Sequence, residues 1–204
     1  MREPDWLTWP WSRVVAEARV PTRVVADVPT LYRELADDMA AELRRHNAAR
    51  RPTRWILPVG PIGQYPLLLD LIRRERLDLA GLHTFQMDEY LDWTGRWLPA
   101  DHPLGFTRHL REAFFSQLPA ELRPPPDQHH VPDPRHLDAI GEAIEAVGGI
   151  DTCWGGIGIH GHLAFNEAPP EHYGAVTVAE LKAHYVRRLH IAVNNVLRMR
   201  MCKS

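Results

Sequence analysis

The chain has 204 residues, 45% of them hydrophobic and 25% charged, with a formal net charge of −2. This balance is enough for a well-buried core and excludes a disordered chain, while the near-neutral charge gives no global field for nucleic acid or an acidic membrane surface. Cys153 and Cys202 show neither disulfide nor zinc-ribbon spacing, and no segment approaches the roughly 18 apolar residues of a membrane span. A cytoplasmic protein without a leader, a membrane partner or a nucleic-acid partner is the expectation.

Residues 1–21, with Trp6, Trp9 and Trp11, read as an irregular aromatic-rich arm, and 22–204 as a single α/β domain. Residues 22–26 are a short strand candidate. Over 29–49, Leu31, Leu35, Met39, Ala40 and Leu43 recur at helical spacing, with Thr30 placed to cap. The apolar run 54–58 predicts a strand, 59–63 a tight turn and 65–76 a helix. A further strand over 82–87 ends at Asp88-Glu89-Tyr90, and the turn signal His102-Pro103 precedes an amphipathic helix over 106–118. The proline-rich stretch 119–134 reads as a long surface connection and 135–147 as another helix. Residues 150–154 form the last strand candidate, leading into a glycine run. Strands alternating with helices of this length imply a three-layer, mostly parallel open sheet with helices on both faces, Rossmann-like in its architecture.

Three loops follow strands directly: 59–63, 88–90 and 155–167. Ligands of open parallel sheets bind at the carboxyl ends of strands, so the three can share one pocket. The last loop, Gly155-Gly156-Ile157-Gly158-Ile159-His160-Gly161-His162-Leu163-Ala164-Phe165-Asn166-Glu167, combines glycines that expose backbone N–H groups with two imidazoles and a carboxylate. Its formal G-x-G-x-x-G pattern lies too late in the chain, and too soon before Pro169-Pro170, for a dinucleotide fingerprint. His160, His162 and Glu167, with His129-His130 in reserve, have donors for a metal-dependent hydrolase. Asp88 and Glu89 are adjacent carboxylates whose side chains diverge in an extended chain, so one of them faces the pocket. Such a carboxylate shuttles a proton between neighbouring carbons when burial lifts its pKa toward neutrality.

Met87-Asp88-Glu89-Tyr90, His102-Pro103 and the run from Gly155 to Glu167 together resemble the glucosamine-6-phosphate deaminase/isomerase family, in the superfamily that also holds 6-phosphogluconolactonase. Order and spacing agree from about residue 22 to 167. The resemblance implies aldose–ketose isomerisation of an amino-sugar phosphate with loss of ammonia, without metal or organic cofactor. Asp88 is then the base between C2 and C1, His162 the group that assists ring opening, and Glu167 the carboxylate that orients it. Gly60, Ile62 and Gly63 hold the phosphate, and Glu89, Gly156 and Gly161 complete the substrate-binding set. The partner is a small sugar phosphate, and a homo-oligomer is compatible with the family.

Three departures accompany the resemblance. His160 stands where the family has an aspartate, and the turn Pro58-Val59-Gly60-Pro61-Ile62-Gly63 lacks the family's hydroxyls and carries a proline without an N–H. The chain also ends at Ser204, short of the family's usual length, which predicts an α/β domain truncated at its C-terminus. Its tail offers Arg187 and Arg188 near the family's arginine segment and a helix candidate over 195–202. A catalytically degenerate sugar-phosphate-binding protein, a 6-phosphogluconolactonase-like enzyme and a metal-dependent hydrolase are the competing readings.

Overall fold

The computed structural model describes residues 8–158 and 162–165. Four strands, β1 Thr53–Leu57, β2 Leu82–Gln86, β3 His129–His130 and β4 Thr152–Cys153, pair in parallel in the order β3-β2-β1-β4. The helices are α1 Trp11–Ala16, α2 Val28–Ala48, α3 Gln64–Glu75, α4 Phe106–Ala113 and α5 Ala139–Ala146. Parallel neighbours need crossovers, which in parallel sheets are right-handed as a rule. The β1-to-β2 and β2-to-β3 crossovers run in one direction, so α3 and α4 lie on one face. The return from β3 to β4 runs in the other, which sends α5 to the opposite face. The direction reverses between β1 and β4, the place where open sheets present a crevice at their strand ends.

Strand alternation decides which residues enter the core. Trp55 and Leu57 of β1 are fully buried with Ala36, Met39 and Leu43 of α2 and Leu68, Leu69 and Ile72 of α3. Tyr65 at the start of α3 stacks on Phe114 at 5.4 Å and donates its hydroxyl to the Pro58 carbonyl at 2.7 Å, so the turn leaving β1 is pinned from beneath.

A polar clasp closes the opposite end of the sheet. Asp151, just before β4, accepts from Arg54 through the backbone N at 2.9 Å, Nε at 3.0 Å and Nη2 at 2.9 Å, and from Arg51 Nη2. Arg54 also donates to the carbonyls of Val147 and Gly148 beyond α5. The Arg54 guanidinium holds the Asp151 carboxyl below its ordinary value. A depressed carboxylate stabilises the fold above its unfolded pKa, and that stability is lost as pH falls through the folded value. Asp151→Asn is therefore expected to cost about 3 kcal/mol at pH 7, the range for breaking a partly buried pair. Urea unfolding at pH 7 and in acid checks this, the gap between the two proteins closing toward low pH.

Several expectations need correction. Residues 22–26 form no strand; Val24 is exposed and no neighbouring strand pairs with it among the described residues. Asp27, not Thr30, caps α2, its Oδ1 accepting from the Thr30 N–H at 2.7 Å. The helix predicted over 106–118 breaks after Ala113, where Phe114 turns toward Tyr65 while Phe115 packs on His129 at 4.5 Å. Residues 119–134 are not only a surface connection, because they carry β3. The helix of 135–147 begins at Ala139, after a turn in which Asp133 bridges His136. The arm of 1–21 includes α1. His160, Gly161, Glu167, Arg187, Arg188 and the tail of 195–202 lie outside the described residues.

Candidate active site

The three loops do converge. Each leaves the carboxyl end of a strand: 59–63 after β1, 88–90 after β2 and 155–158 after β4. A side chain at Gly155 would come within 3.1 Å of Met87 Cε, and one at Gly156 within 3.1 Å of Pro61 Cδ and 3.3 Å of the Gly60 carbonyl. The glycines are required because β4's loop lies directly on the other two. At Gly63 a Cβ would run into the Tyr32 ring of α2, so the turn after β1 is closed from that side as well. Gly60 meets nothing there and stays open, next to exposed Ile62. Gln64, fully buried, fixes the turn by donating Nε2 to the Pro61 carbonyl at 2.8 Å.

The adjacent carboxylates have different surroundings. Asp88 is half-buried, its carboxylate makes no hydrogen bond with a described residue, and burial, reinforced by the Glu89 charge, pushes its pKa up to about 7. Glu89 turns to the N-terminus of α4, where its Oε1 accepts from the Phe106 N–H at 2.7 Å and its Oε2 from the Thr107 N–H at 2.7 Å and hydroxyl at 2.6 Å. Asp88 thus keeps its carboxylate clear of described hydrogen-bond partners, while the oxygens of Glu89 are occupied by α4.

His162 lies over Gly158, where any Cβ would fall inside contact with the imidazole. The Gly158 N–H donates to the His162 carbonyl at 2.8 Å, closing the loop on itself. Ala164 and Phe165 follow with φ of 51° and 57°, left-handed values that cost a non-glycine residue on the order of 1 kcal/mol each. The turn they make brings the Phe165 ring to 5.6 Å from His162, 5.9 Å from Tyr90 and 6.0 Å from Phe106. This aromatic cluster ties the histidine loop to the segment that carries Asp88.

His129 and His130 stand apart from this site. They lie on β3, three strand spacings or about 14 Å across the sheet from β4. His129 Nδ1 is 2.8 Å from the Thr84 hydroxyl, and His130 stacks on Phe85 at 4.5 Å. Both rings are engaged with the neighbouring strand β2. No group of three or more metal-type side chains forms among the described residues.

Sequence reasoning missed Gln86 and Thr107. Gln86, 2% exposed, donates Nε2 to the Asp88 carbonyl at 2.8 Å and so sets the backbone of the proposed base. A signal existed: Gln86 and Asp88 are two apart at a strand end, and a buried amide there needs a local partner. Nothing local marks Thr107, which arrives through the α4 crossover.

An open parallel sheet with helices packed on it and glycine loops at its strand ends defines an α/β fold. No protein-family model matches the chain. Glucosamine-6-phosphate deaminase 1 of Mus musculus is 35% identical over 119 residues, 54% of this chain and 38% of that protein. The glucosamine-6-phosphate deaminase of Parabacteroides distasonis is 33% identical over 141 residues, 65% of this chain and 49% of that protein. Among solved structures, a monomeric glucosamine-6-phosphate deaminase of the NagB superfamily aligns with TM-score 0.53 and 26% identity, over 67% of this chain and 56% of that one. A 6-phosphogluconolactonase from Thermotoga maritima shares the fold at TM-score 0.52 and 18% identity, over 65% of this chain and 58% of that one. Over its matched residues the chain is similar to glucosamine-6-phosphate deaminases, and it spans half or less of the length of these two curated relatives. Among the described residues no helix is long and apolar enough to cross a membrane.

Proposed function

We propose that the protein is an aldose–ketose isomerase and deaminase that converts an amino-sugar phosphate, with glucosamine 6-phosphate as its model, to the ketose phosphate and ammonia. The observation that carries this reading is Asp88: a half-buried carboxylate with no described hydrogen-bond partner and a pKa lifted to about 7, at the end of β2 beside the histidine loop. Carbon-acid chemistry needs a base whose proton affinity lies near the working pH, which an ordinary surface aspartate lacks.

In the proposed sequence His162 passes a proton to the ring oxygen as the sugar opens. Asp88 takes the proton from C2 of the open chain and returns it to C1, while the C2 amine gives up a proton and O1 gains one, leaving a C1 hydroxyl and an imine at C2. Water adds to that imine and ammonia leaves. Glu167 orients the imidazole, and His160 stands as a second titratable group two residues before it. Gly60, Ile62 and Gly63 offer backbone amides to the phosphate, with Gly156 and Gly161 letting the sugar approach the chain closely.

One observation favours a second reading. Pro61 removes an amide from the phosphate turn, and no hydroxyl replaces it; a sugar-phosphate binder without turnover has the same frame. Ammonia release from glucosamine 6-phosphate by the purified chain, in EDTA, decides between them. The isomerase reading expects release that survives EDTA. Binding without release supports the binder, and activity that returns only with added zinc supports a metal-dependent hydrolase.

A further inference from the structure

The carboxylate of Glu89 is bonded to the first turn of a helix that lies 17 residues further along the chain. Gly105, the N-cap of α4, supplies no side-chain cap, so the helix begins with uncapped N–H groups and the positive end of its dipole. Glu89 takes the place of the cap. Oε1 accepts from the Phe106 N–H and, at 2.8 Å, from its own neighbour Tyr90; Oε2 accepts from the Thr107 N–H and hydroxyl and, at 3.3 Å, from Gln86 Nε2. Tyr90 reinforces the same junction by packing on Phe106 at 4.6 Å. The backbone of Asp88 is thereby held from both sides, by Gln86 on its carbonyl and by Glu89 on the amide of Tyr90.

The same bonds decide which of the two carboxylates is left without partners. An uncapped helix N-terminus attracts the nearest anion, and a carboxylate whose oxygens already accept several donors has little capacity left for another partner. We propose that Glu89 is a positioning residue and not a substrate contact: it caps α4, fixes the backbone at Asp88 and occupies the helix's positive end, leaving the Asp88 carboxylate open to accept a proton. The inference rests on Asp88 as the base proposed above.

The test uses the full chain and Glu89→Gln, which keeps the size and removes the charge. Carboxyl carbon NMR, with the Asp88 resonance assigned by its loss in Asp88→Asn, is expected to show Asp88 titrating at lower pH in Glu89→Gln than in the parent. In turnover of glucosamine 6-phosphate, kcat is expected to fall about tenfold or more, as a misplaced base requires, with KM within about twofold and the acid limb of kcat/KM moved to lower pH. An unmoved Asp88 titration, or a raised KM at unchanged kcat, overturns the proposal, the latter in favour of a substrate contact. Where Glu89→Gln does not fold, Thr107→Val removes one donor and keeps both amides; a lower kcat at unchanged KM supports the proposal and an unchanged kcat overturns it. A parent protein without turnover defeats the functional reading alone, because the NMR titration still decides the role of Glu89.

Discussion

Asp88→Asn is expected to reduce ammonia release by about 10²–10⁴-fold, the contribution of a well-placed general base, while leaving sugar-phosphate binding within a few-fold of the parent. In the parent, kcat/KM should rise through about pH 7 as Asp88 gives up its proton, and this limb should vanish from the residual activity of the variant. A stability change of the opposite sense accompanies the loss. A carboxyl whose folded pKa is raised stabilises the fold only while protonated; that contribution is complete below its unfolded value of 3.8 and is lost as pH rises through about 7. Asp88→Asn should therefore melt higher than the parent above pH 8, with the difference shrinking in acid. An inactive variant that is also less stable at pH 8 would instead mean that Asp88 was a structural partner.

The second large effect belongs to Gly158. Its φ is not in the left-handed region, so alanine suits the backbone, but the added methyl would occupy the space of the His162 ring. Gly158→Ala should displace the imidazole and lower kcat about 10²-fold, the scale of a lost proton-transfer group. Unfolding in urea should show little change, since Ile157 beside it is exposed. Parent-like turnover would show that ring opening does not depend on the imidazole's seat.

Much of the site was legible in the sequence because parallel sheets concentrate function at strand ends. Once 54–58, 82–87 and 150–154 were read as strands, the glycine turn, Asp88 and the histidine loop had to meet on one edge of the sheet. The less legible parts are those fixed at long range. A two-residue β3 has no periodicity to detect, and it is a strand only because Thr84 and Phe85 pair with it. The break after Ala113 comes from two consecutive aromatics finding different partners, Tyr65 and His129. Glu89 enters the substrate-binding set through the resemblance; its hydrogen-bond partners Phe106 and Thr107 lie beyond a crossover that local pattern cannot measure.

The central claim is that Asp88 carries a proton between adjacent carbons of an amino-sugar phosphate. Turnover of glucosamine 6-phosphate in D2O with EDTA, followed by proton NMR of the ketose phosphate, tests it most directly. Deuterium at C1 of the ketose, taken up as the proton held by Asp88 exchanges with solvent before delivery to carbon, and appearing with ammonia in the parent but absent in Asp88→Asn, is the result predicted. Ammonia release that persists in Asp88→Asn, or a ketose formed only when metal is restored, would contradict it.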